Sequence, residues 1–138
     1  MPVNLAMIDD ASQGRTIVKL CGELDISSAP DLRERLLAIL SRQTLSHLIL
    51  DLSKVEFIDS SGISVLVSTE RRARLLGCAL VLVAPQAPVS RVLHICGLDQ
   101  HFVIAENISA AAGTVHPDLH RSFRLRARDE GEPDPAAT

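Results

Sequence analysis

The stretch Val55-Glu56-Phe57-Ile58-Asp59-Ser60-Ser61-Gly62-Ile63 places a carboxylate and two hydroxyls between an apolar, strand-like lead-in and the start of a helical pattern. A helix start carries unpaired backbone N–H groups and a partial positive charge, so polar side chains there have two uses. The first is capping: Asp59 or Ser60 accepts hydrogen bonds from first-turn amides, worth about 1 kcal/mol. The second is modification: an exposed hydroxyl accepts a phosphoryl group, and the helix end holds the added charge of about −1.5 to −2 without unfolding. Asp59 adjoins the site, with Glu56 and Asp51 near in sequence. A partner matched to the neutral hydroxyl would meet new charge, bulk and hydration, and binding would fall. Spacing alone favours capping over modification.

Other chemistries find less support. The chain has no Gly-rich dinucleotide fingerprint, no phosphate-binding loop ending in Lys-Ser/Thr and no nucleophile elbow, so the usual nucleotide enzymes are not indicated. His94, Cys96 and His101 lie close in sequence, but three ligands without a fourth and without a Cys-x-x-Cys spacing make a weak zinc signal. His116 and His120 share helical spacing that Pro117 spoils. An enzyme using Ser60 as nucleophile would need His47 or His94 within hydrogen-bond reach, and nothing in the spacing brings either there. We expect no catalytic residue, no metal and no cofactor.

The elements around the site follow from periodicity. Residues 3–8 and 16–20 are β-leaning runs separated by a polar stretch ending in Gly14, the pattern of an N-terminal antiparallel hairpin. Ser27-Ser28-Ala29-Pro30-Asp31 signals a helix start. After it, Leu32, Leu36, Ile39 and Leu40 form one apolar stripe, leaving Arg33, Glu34, Arg35 and Arg42 to water. Residues 47–52 read as a strand covered on both sides. A second helix is predicted from just after Gly62 to about Leu76, with Val65, Leu66, Thr69, Ala73 and Leu76 on one face and a Glu70–Arg74 pair on another. Residues 79–84 repeat the buried-strand pattern, and Val89, Val92, Leu93 and Cys96 mark a short third helix. Residues 102–105 are a last weak strand, and residues 108–115 a last helix capped by Asn107 or Ser109. The expected fold is a single α/β domain over residues 1–115, a mixed sheet of four to five strands flanked by about four helices. From His116 onward, prolines, the arginines at 121, 124, 126 and 128, and an acidic run predict a disordered tail over residues 116–138.

Composition narrows the partners. The 138 residues suit one domain, and 46% apolar with 22% charged residues is ordinary globular usage. Phe57, Phe102 and Phe123 are the only aromatics among Phe, Tyr and Trp, too few for base stacking. A net charge of −3 supplies no field for phosphate backbones or anionic lipid. No apolar run approaches the roughly 20 residues of a membrane span, and the N-terminus lacks a leader pattern. Nucleic acid and membrane are therefore not expected partners, and the cytoplasm is the expected location. Cys21, Cys78 and Cys96, each beside apolar neighbours, read as reduced core thiols.

Gly22-Glu23-Leu24-Asp25, followed about 35 residues later by Phe57-Ile58-Asp59-Ser60-Ser61-Gly62, resembles the anti-sigma factor antagonists of the STAS domain family. The pair of motifs is much more specific than either alone, and the resemblance covers roughly residues 3–115. It implies a small domain with no catalytic activity of its own. By position it assigns phosphorylation to Ser60, by a partner that is both an anti-sigma factor and an ATP-dependent serine kinase. Asp59, Ser61 and Gly62 complete the partner-binding loop, and Asp25 is expected close by, orienting a seryl hydroxyl. The unphosphorylated form would capture the kinase and release a sigma factor, and a metal-dependent serine phosphatase would restore it. One departure stands out: many relatives read Gly-Leu-Gly where this chain has Gly62-Ile63-Ser64, so the Ser64 side chain alters how closely a partner approaches. A different class is a non-switching scaffold or interaction domain of a multiprotein signalling assembly, in which the serines only cap a helix.

Overall fold

The computed structural model describes residues 4–10, 14–42 and 46–114. Nine elements follow in the order β1 (Asn4–Asp10), β2 (Arg15–Leu24), α1 (Ala29–Arg42), β3 (His47–Ile58), α2 (Ser60–Leu75), β4 (Ala79–Val83), α3 (Ala87–Ile95), β5 (Val103–Ala105) and α4 (Ile108–Thr114). A single 3-10 turn over Leu98–Gln100 links α3 to β5. The expected tail over residues 116–138 lies outside the described residues.

The five strands form one sheet in the order β1-β2-β3-β4-β5. β1 pairs antiparallel with β2, from Asn4 opposite Cys21 to Asp10 opposite Arg15. The other three pairings are parallel. A parallel pair needs a crossover, and α1, α2 and α3 supply one for each. Helices returning between parallel strands start at the strands' C-terminal edge, so α1 and α2 run side by side and begin at the same end of the molecule.

Strand alternation divides the core. Leu48, Leu50, Leu52, Leu80 and Leu82 point to the face covered by α1, α2 and α3, where they meet Leu32, Leu36, Val65, Leu66, Val89 and Leu93. Ile49, Val81 and Val83 point the other way, against Ala111 and Ile108 of α4. A leucine or valine buried this completely contributes about 1.5–3 kcal/mol over an exposed one. Among the described residues, no helix is long and apolar enough to cross a membrane.

Four details depart from the sequence reading. β3 runs on from Leu52 to Ile58, because two register shifts against β2, between Lys19 and Cys21 and between Gly22 and Glu23, let the strand carry extra residues past Ser53 and Glu56. α2 starts at Ser60, not after Gly62. Leu76 is exposed, since it follows the last helical residue and has left the apolar face. Only Cys78 is a core thiol, with burial raising its pKa to about 12; Cys21 and Cys96 are exposed. Cys21 alternates with buried Leu20 on β2, and Cys96 lies just past the end of α3.

Candidate functional site

The ends of β2 and β3 lie side by side, with Glu23 opposite Phe57 and Leu24 opposite Ile58. This register brings the two sequence motifs into one structure. The Asp59 N–H donates to the Leu24 carbonyl at 3.1 Å, fixing the β3–α2 junction to the end of β2. Gly62, in the first turn of α2, is buried against the same residue. A Cβ there would lie 2.7 Å from Leu24 Cβ, 2.8 Å from Ile58 Cγ1 and inside contact distance of the Leu24 carbonyl oxygen. Only a hydrogen fits. Gly22 has φ +115° at the β2 irregularity, a conformation side-chain-bearing residues rarely adopt.

Asp59 is the helix cap. In extended conformation, its Oδ1 accepts from Ser61 N at 2.8 Å and from Gly62 N at 3.1 Å. Asp59→Ala is expected to cost about 1 kcal/mol, read as a fall in midpoint in urea unfolding with an unchanged slope. With that role filled, Ser60 stands exposed at the first helical position, and its hydroxyl has no hydrogen-bond partner among the described residues. Glu56 is exposed nearby, whereas the Asp51 carboxylate accepts from Ser53 N at 2.9 Å, back along β3.

Asp25 lies next to Leu24, but the seryl hydroxyl it orients belongs to Ser27 and not to Ser60. Asp25 Oδ1 accepts from Ser27 Oγ at 2.8 Å, Ser28 N at 3.0 Å and Ser27 N at 3.1 Å. These bonds, the Ser27 hydroxyl foremost, hold the carboxyl below the ordinary aspartate range. Ser28 tightens the same turn: its Oγ donates to the Glu23 carbonyl at 2.7 Å and accepts from Asp25 N at 3.0 Å. The first motif is thus a rigid turn that supports the second.

Between the starts of α1 and α2 lies a groove of about 630 Å³. Ser60, Ser61 and Ser64 form the α2 wall; Pro30, Arg33 and Leu37 form the α1 wall, and Ile26, 75% exposed, stands at the rim. Ser64 is exposed and projects where a glycine would leave the wall flat. The structure therefore brings Ser60, Ser61 and Ser64 together at one groove, with Asp59 and Gly62 as its supports and Asp25 on the neighbouring turn. Sequence reasoning missed the α1 wall. Its signal was present: Ile26 and Leu37 are apolar residues that fall off the stripe formed by Leu32, Leu36, Ile39 and Leu40.

The described histidines lie elsewhere. His47 begins β3 whereas Ser60 follows its end, and His94 pairs through Nδ1 with Asp99 at 2.7 Å. His101 Nε2 meets the buried Glu70 at 3.2 Å, and Arg74 meets the same carboxylate oxygen at 3.0 Å. Glu70 and Arg74 pair as their spacing predicts, but Glu70 is buried while Arg74 is half-exposed, and the carboxylate ties α2 to the segment before β5.

The STAS domain pattern matches residues 6–111. The chain is 29% identical to an anti-sigma F factor antagonist of Paenibacillus polymyxa over 76% of its own length and 90% of the relative's. It is 33% identical to an anti-sigma-B factor antagonist of Bacillus subtilis (strain 168), over 59% of this chain and 72% of that one. The crystal structure of an anti-sigma factor antagonist from Mycobacterium paratuberculosis superposes with a TM-score of 0.68 at 26% identity, covering 79% of this chain and 90% of that one. With its paired motifs joined at Leu24 and a match running from β1 into α4, the chain belongs to the STAS domain family.

Proposed function

We propose that the protein is an anti-sigma factor antagonist controlled at Ser60. Its unphosphorylated form binds an anti-sigma factor that is also an ATP-dependent serine kinase, and a sigma factor is freed. On this reading the protein works in the cytoplasm as a regulator of transcription by partner switching, without touching nucleic acid or membrane. In the modifying step the Ser60 oxygen attacks the γ-phosphorus of ATP, the bond to ADP breaks, and the hydroxyl proton passes to a base on the kinase. A serine phosphatase reverses the change by hydrolysis.

One observation carries the reading. Asp59 caps α2, which leaves the adjacent Ser60 hydroxyl exposed and uncommitted at the rim of a groove. A serine needed only for capping would itself be bonded to the first-turn amides. The names of the relatives point to the same class of partner. The groove lies on the route to that hydroxyl, so Ser61, Ser64 and the Asp25 turn are the surface that the partner reads.

The test uses the kinase captured from lysate on the unmodified protein, then supplied with ATP. Wild type is expected to gain one phosphate and Ser60→Ala none, by mass spectrometry of the intact protein. Equal labelling of both would remove Ser60 from the role, and capture that ignores phosphorylation would favour the scaffold reading.

A further inference from the structure

Arg33 stands between two grooves. On the α1 side it lines the upper groove with Ser60, Ser61 and Ser64, and a lower one of about 420 Å³ with Ser68, Arg71 and Arg72. Its one polar partner among the described residues is the Ser68 hydroxyl, with Nη1 at 3.3 Å from Oγ. That is a long bond to a neutral, half-buried hydroxyl that itself donates to the Val65 carbonyl at 3.1 Å. The neighbouring Arg35 has a carboxylate at Asp31, and Arg33 has none among the described residues.

Geometry gives Arg33 a choice. Ser60, Ser64 and Ser68 stand at i, i+4 and i+8 on α2, on the same side of the helix. At about 1.5 Å rise per residue, Ser60 and Ser68 are roughly 12 Å apart along the axis, and Arg33 of α1 lines the groove at each of them. A guanidinium loses little by leaving a long neutral bond and gains a charge-assisted, two-pronged pair at a phosphate.

We propose that Arg33 is the internal receiver for a phosphate on Ser60: its guanidinium leaves Ser68, pairs with the phosphate oxygens and lies across the upper groove. This rests on the reading of Ser60 as the acceptor and adds how the modified state is held. The groove is then filled from within as well as charged. Glu34, on the same wall, opposes the phosphate by charge; the Asp59 carboxylate is already engaged by two amides; Arg71 and Arg72 belong to the lower groove.

The experiment needs no kinase. Phosphoserine is installed at position 60 during translation, and the phosphate is titrated by phosphorus NMR in the full-length protein at 0.1 M salt. Its second pKa is expected to be about half a unit lower than in the same protein carrying Arg33→Gln, a roughly threefold change in proton affinity. Arg33→Lys, which keeps the charge without the planar fork, should fall between, and Arg71→Gln should leave the wild-type value. Identical titrations in wild type and Arg33→Gln would overturn the proposal. So would an equal effect of Arg71→Gln, which would mean diffuse positive charge and not a specific pair. If Arg33→Gln fails to fold, the Arg33→Lys comparison decides, equality with wild type counting against a two-pronged pair. Because the phosphate is installed without the kinase, this result stands apart from whether the kinase selects Ser60.

Discussion

Gly62→Ala is expected to lower the thermal midpoint of the domain by roughly 10 °C or more, the reverse of what helix propensity predicts. An alanine replacing a helical glycine ordinarily gains about 1 kcal/mol, because it loses less backbone freedom on folding. Here the added methyl would press into the Leu24 carbonyl and lie 2.7 Å from the Leu24 Cβ. Backbone cannot rotate aside as a side-chain tip can. Overpacking of this kind costs typically 1–3 kcal/mol, and a clash with two separate elements lies at or above the top of that range. The remaining deficit, about 2 kcal/mol, sets the shift in midpoint for a domain of this size. A thermal melt followed by far-UV circular dichroism checks it. An unchanged or raised midpoint would mean that α2 does not seat on the end of β2 as described.

Ser60→Asp, and phosphorylation of Ser60 more strongly, should weaken capture of the anti-sigma factor while leaving the fold intact. The two readouts separate because they depend on different physics. A negative charge at the first turn of α2 favours the helix dipole by about 0.3–1 kcal/mol, so the thermal midpoint should hold or rise slightly. At the contact surface the same charge must be stripped of water or leave a gap, and gains inside the domain, present in the free and the bound protein alike, do not offset that. An unmatched charge in an interface costs several kcal/mol, which corresponds to a loss of affinity of about 100-fold for the phosphate. Calorimetric titration of the captured partner against both forms would measure it. Equal affinities, or a variant that unfolds, would sink the switch.

Much of this was legible in the residues, and the exceptions have physical causes. Alternation of buried strand and amphipathic helix marked the sheet and its covering helices, and the stripe Leu32, Leu36, Ile39 and Leu40 is buried as its spacing requires. The far half of β3 was not legible, because Ser53, Lys54 and Glu56 interrupt the pattern where the strand bulges against β2. The start of α2 was misplaced for a related reason: Ser60 and Ser61 look like caps, and only the bonds to Asp59 reveal that they are already helical. Arg33 is exposed, as its place off the apolar stripe predicts, but its link to Ser68 crosses between two helices and could not be read locally. Likewise Glu70 pairs with Arg74 as expected, while its burial and its bond to His101 depend on a segment some 30 residues away.

The bond from Asp59 to the Leu24 carbonyl, together with the missing side chain at Gly62, has a consequence for ancestry and engineering. Two short segments distant along the chain share one backbone seam, so they must be inherited or transplanted together. A chimaera that grafts the serine loop of a distant cousin without its matching turn would join misfitted halves, and recognition would fail before any phosphate arrived.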